Sequence, residues 1–196
     1  MTFDLKKGEK FSLSKNKKAV NGIEVQLFWT TKASKDIDLD VSVFMLDKKN
    51  LLVRDYLLYF NKQSILDGLV FHGGDNKIGN SRNEPDETVK FTSLENIPDE
   101  IEKAWIAVSV HEPVRASIND IKSGRLVIRD LADNEILLTY ELPNFNKQAE
   151  QVDAIVVGEL YRNVDSWEFK ALEDKYAYTP TQQKDENSLQ LIISNT

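Results

Sequence analysis

Ala104-Trp-Ile-Ala-Val-Ser-Val-His111 sets Ala104, Ile106, Val108 and Val110 on one side of an extended backbone and Trp105, Ala107, Ser109 and His111 on the other. Successive side chains of a strand point to opposite faces, so this period of two predicts a strand with its apolar face turned to a core. Pro113, which has no N–H for a ladder, stops it. The same alternation recurs upstream. In Ile23 to Thr31, Ile23, Val25, Leu27 and Trp29 alternate with Glu24, Gln26, Phe28 and Thr30, and in Asp38 to Leu46 the residues Leu39, Val41, Val43 and Met45 oppose Asp40 and Ser42.

Working outward, residues 51–60, LLVRDYLLYF, read as a buried strand, and Leu69 to His72 and Thr88 to Phe91 read as strands flanking a polar loop. Ala116 to Lys122 predicts a short helix with Ile118 and Ile121 facing inward, ended by Gly124. Arg125 to Leu131 and Glu135 to Leu142 form a hairpin across Ala132-Asp-Asn134. Gln151 to Arg162 and Ser166 to Leu172 form a last hairpin around Asn163-Val-Asp165. Roughly nine or ten short strands with almost no helical periodicity predict an all-β fold, an antiparallel β-sandwich of two sheets with short helical turns. The sandwich domain spans 1–172. Residues 173–196 form a polar tail, with a short apolar patch at Leu189 to Ile193, that either stays disordered or docks.

Composition narrows the function. The 196 residues are 41% apolar and 29% charged, ordinary for one globular domain. A net charge of −7 and a pI near 5.0 argue against a nucleic-acid surface, whose footprint is a basic patch. With no cysteine, thiolate nucleophiles, disulfides and cysteine-based zinc or iron–sulfur sites are excluded. His72 and His111 are the only imidazoles. Any metal site must therefore be built mainly of oxygen, which suits calcium or magnesium. No segment has the roughly 18 apolar residues of a transmembrane helix, and the amino terminus lacks an apolar signal core, so the protein is expected to be cytoplasmic.

Two acidic elements stand out. Asp36, Asp38 and Asp40 share one face of an extended backbone at the head of a strand, where like charges repel unless solvated or neutralised. Residues 73–87, GGDNKIGNSRNEPDE, form a glycine-punctuated loop carrying Asp75, Asn76, Glu84, Asp86 and Glu87. Each alone reads equally as a solvated strand end or an Asx turn. Together they suggest a strand and a loop meeting around calcium. No serine sits in a nucleophile elbow, and GGDNKIG lacks the Gly-Lys-Ser/Thr ending of a phosphate loop, so no enzyme is expected.

The order of motifs resembles the TerD family of tellurium-resistance and stress proteins. The resemblance rests on Asp38-Leu-Asp40, Phe71-His-Gly-Gly-Asp-Asn76, Pro85-Asp-Glu87, the IAVSVHE run ending at Glu112, Leu126-Val-Ile-Arg-Asp130, Gly158-Glu-Leu-Tyr-Arg162 and Trp167-Glu-Phe-Lys-Ala171. It implies a β-sandwich, calcium held between the acidic strand and the loop, and no catalytic activity. It also implies a role in tellurite and stress resistance through complexes with other stress-response proteins, some at the inner face of the membrane. By match, the metal ligands it implies are Asp38, Asp40, Asp75, Asn76, Asp86 and Glu87. Asp36 has no counterpart. Arg82 stands where the family pattern would place a carboxylate, which predicts one tight ion and a second that is weak or absent. The alternative function is a calcium-dependent membrane-docking module of C2-like logic, in which the ion bridges to anionic lipid.

Overall fold

The computed structural model describes residues 3–32, 37–75, 84–111, 116–142, 153–164 and 166–176. Two sheets face each other. The first has seven strands in the order β1 (Phe3–Leu5), β13 (Ile136–Glu141), β12 (Ile121–Asp130), β5 (Ile23–Thr31), β10 (Glu87–Phe91), β9 (Val70–Asp75) and β8 (Ser64–Ile65). The second has six in the order β2 (Lys10–Ser12), β15 (Ser166–Tyr176), β14 (Ala154–Asn163), β11 (Lys103–Val110), β6 (Leu39–Leu46) and β7 (Leu52–Leu58). A small hairpin, β3 (Ser14–Lys15) with β4 (Lys18–Ala19), turns through Asn16 and Lys17, both at positive φ. All named pairings are antiparallel except β1 with β13, a parallel pair between strands far apart in the chain that has no local signature in the residues.

The alternation read from the sequence decides which faces meet. Ile23, Val25, Leu27 and Trp29 of β5, the odd-numbered apolar residues of β6, and Ala104, Ile106, Val108 and Val110 of β11 lie in one buried cluster between the sheets. Fully burying a large apolar side chain contributes about 1.5–3 kcal/mol, so these three strands alone supply much of the driving force. The buried indoles are satisfied: Trp29 Nε1 donates to Ile37 O at 3.0 Å and Trp167 Nε1 to Leu94 O at 3.1 Å. At the end of the Gly158–Arg162 motif, Arg162 ties β14 to the segment before β11. Arg162 donates to the carbonyls of Ile101 (2.8 Å) and Pro98 (3.0 Å), bonds that of Ile97 as well, and stacks over Trp167 at 4.8 Å.

Three local expectations are corrected. β7 is an edge strand whose middle residues, Arg54 and Asp55, are exposed; aromatic and apolar content there reflects one-sided packing rather than burial on both faces. The predicted helix at 116–122 is a single 3-10 turn, Ile118–Asp120, capped by the Ser117 hydroxyl, and Gly124 lies inside β12 instead of ending a helix. Ile118 and Ile121 do face inward. β15 also runs on to Tyr176, four residues beyond the expected strand end at Leu172. No helix among the described residues is long and apolar enough to cross a membrane.

Candidate functional site

The acidic residues gather where β5, β6 and β10 approach one another. β10 opens with Glu87, directly opposite Leu27 of β5 on one side and Asp75 of β9 on the other. Its neighbours Val89 and Phe91 on the same face are core residues, so the strand's alternation turns Glu87 inward. There, 3% exposed, its Oε2 accepts the backbone N–H of Val41 on the opposite sheet at 3.3 Å. β7 pairs with β6 only as far as Val43, so the Leu39–Ser42 end of β6 lacks a strand neighbour on that side among the described residues. Glu87 supplies the missing acceptor.

Asp86, 1% exposed, plays the matching part on β5. Its N–H donates to Leu27 O at 2.9 Å, and its Oδ2 accepts the Trp29 N–H at 3.0 Å, just beyond the last β10–β5 pair. Pro85 immediately before it has no N–H to compete for these acceptors. On the other face of β6, Asp40 lies opposite Ser109 and its Oδ2 is 2.9 Å from His111 Nδ1. The His111 N–H donates to Asp38 O at 3.0 Å, and Phe60 meets the His111 ring edge-on at 5.1 Å. The Val41 N–H that Glu87 binds belongs to the peptide joining Asp40 to Val41, so the two carboxylates serve one short piece of β6 from its two sides.

Of the residues expected to bind metal, Asp86 and Glu87 are buried on the inner side of β6 and Asp40 on its outer side, and the Asp38 carbonyl accepts the His111 N–H. Asp75 is placed by its backbone in register with Glu87. Asn76 lies outside the described residues, as do Asp36 and Arg82. Among the described residues no group of three or more carboxylates and histidines is assembled closely enough to hold an ion by itself. The buried donors in this region are carboxylate oxygens and imidazole nitrogens, with no sulfur, so a cation held there would be a hard one such as calcium or magnesium. Burying carboxylates costs several kcal/mol each unless they are hydrogen-bonded or bound to a cation.

Two participants escaped the sequence reading. His72, inward beside Val89, has Nδ1 3.9 Å from the same Glu87 oxygen. His111, the other imidazole, pairs with Asp40. The only signal available was that Ser109 and His111 share a face of one strand, and the register that brings Asp40 to them is a long-range property.

The TerD domain matches residues 1–179. General stress protein 16U of Bacillus subtilis (strain 168) is 33% identical over 184 residues, covering 90% of this chain and 92% of that protein. Tellurium resistance protein TerD of Serratia marcescens is 31% identical over 183 residues, with 90% and 92% covered. The crystal structure of a homologue of telluride resistance protein from Streptomyces coelicolor A3(2) superposes with a TM-score of 0.64 at 19% identity, covering 84% of this chain and 95% of that one. That last likeness shows the shared fold.

Proposed function

This chain belongs to the TerD domain family, and from that premise we propose that it is a non-enzymatic, calcium-binding stress-response protein of the tellurite-resistance type. The observation that carries the calcium reading is the burial of Asp40 and Glu87 on the two faces of one end of β6 and of Asp86, next to Glu87, against β5, with Asp75 in register beside Glu87. Asp38, Asp40, Asp75, Asn76, Asp86 and Glu87 would hold the ion. A bound calcium would neutralise charge that the backbone donors offset only in part, and would tie the loop after β9 to β6 of the opposite sheet. The ion's contribution is structural charge neutralisation. The chain's contribution is to hold acceptors at fixed places on two sheets, so that binding and closure of the sandwich end are one event.

Stress resistance would then come through contacts with other stress-response proteins, in the cytoplasm and at the inner membrane face. Handling of tellurite by this chain's own redox chemistry is disfavoured, since it has no thiol. Calorimetric titration of the chelator-stripped protein with calcium tests the reading. One tight site is expected, with a second weak or absent; no heat of binding at millimolar calcium would overturn it.

A further inference from the structure

In the six-stranded sheet, the face turned away from the sandwich core is itself buried. Phe44 and Leu46 of β6, Trp105 and Ala107 of β11 and Val156 of β14 form a second apolar cluster of opposite parity to the core residues on the same strands. Register aligns Phe44 with Trp105, and Ser42 with Ala107 and Val156. Exposure is 3% at Phe44, 4% at Trp105, 0% at Ala107 and 1% at both Ser42 and Ser109. Alanine and serine in mid-sheet are too short to be hidden by neighbours in their own sheet. Yet the apolar side chains packed on the cluster, Leu52, Leu57 and Leu172, all belong to β7 and β15 of that sheet or its edge.

We propose that this outer face is a docking surface for the chain's own C-terminal segment, residues 177–196, with Leu189, Ile192 and Ile193 covering Trp105, Phe44 and Val156. The segment starts in the right place. β15 ends at Tyr176, which lies opposite Ala154, and Ala154 lies opposite Ser109. The Trp105 row is four residues further along β11, about 13 Å, whereas the twenty residues that follow Tyr176 can span up to about 65 Å. Its composition also fits, because Leu189, Leu191, Ile192 and Ile193 are consecutive or nearly so in an otherwise polar stretch. Another segment outside the described residues, 143–152, must cross from β13 in one sheet to β14 in the other. Crossing about 10 Å and making the 13 Å excursion out and back would consume its whole extended length of about 36 Å. The buried hydroxyls of Ser42 and Ser109 have no hydrogen-bond partner among the described residues, which agrees with an apolar cover.

The absence of cysteine makes a clean test possible in the full chain. Leu172→Cys with Ile192→Cys should form an intramolecular disulfide under mild oxidation. Val164→Cys with Ile192→Cys, the first site being 93% exposed at the far turn of the β14–β15 hairpin, should not. In a second variant, Leu189→Ser with Ile192→Ser and Ile193→Ser should raise acrylamide quenching of tryptophan severalfold through Trp105, since Trp29 and Trp167 stay in the core. Equal cross-linking of both cysteine pairs, cross-linking of neither, disulfides only between two copies, or unchanged quenching would each overturn the proposal.

Discussion

Glu87 on one sheet and Val41 on the other are joined by a carboxylate-to-backbone hydrogen bond of 3.3 Å, a polar link across the end of an otherwise apolar sandwich. Removing the acceptor leaves a buried N–H unpaired, at a cost of about 1–3 kcal/mol. Glu87→Ala should therefore lower the unfolding midpoint in chelator, while Glu87→Gln, which keeps an acceptor, should lose less stability but still bind calcium poorly. Urea unfolding in chelator distinguishes the two. Identical midpoints for Glu87→Ala and the unaltered chain would mean that the link contributes nothing.

Calcium should stabilise the native protein. A ligand that binds only the folded state adds about 2.7 kcal/mol at a hundredfold excess over Kd. Heat unfolding in chelator and in millimolar calcium should differ by several degrees, with magnesium doing less because it demands a tighter octahedral shell. Coincident midpoints in calcium and chelator argue against a native-state ion.

Asp75→Asn should weaken calcium binding strongly, and Asp133→Asn, in the β12–β13 turn, should leave it unchanged. The contrast controls for net charge. Asp133 has a separate, local role: it pairs with Lys15, and its carboxylate also accepts the Glu135 N–H at 3.0 Å.

That Lys15 partner, chiefly by hydrogen bonding, holds the Asp133 carboxyl below its ordinary value of 3.8. A depressed folded pKa contributes stability that is present above the unfolded value and is lost as pH falls through the folded one. Lys15→Ala should return the Asp133 titration, followed by NMR, toward the ordinary value. The midpoint of thermal unfolding at neutral pH should barely move, because the pair is exposed and screened.

Gly158→Ala should destabilise the fold although it touches no candidate ligand. A Cβ there would lie 2.2 Å from Phe169 Cζ, so the ring must move, and overpacking of this kind costs about 1–3 kcal/mol. Phe169→Leu in the same chain should recover part of the loss. A Gly158→Ala protein as stable as the parent would show that the ring has room to yield.

The sequence alone determined the fold class and the inward face of each main strand. Alternation with a period of two is a property of a single strand, and the core-facing positions of β5, β6 and β11 are apolar without a break. It also determined that any metal site must be oxygen-built, since cysteine is absent and histidine scarce. Tertiary structure decided the rest. Apolar content could not tell the edge strand β7 from a buried one, because burial depends on whether a neighbour lies beyond it. A glycine could not tell a helix end from the middle of β12, where the backbone continues extended. That Glu87 meets Val41, and that His111 meets Asp40, follows from pairing between strands far apart in the chain. Parity fixes which face a side chain takes, but only the packed sheets fix what stands opposite it.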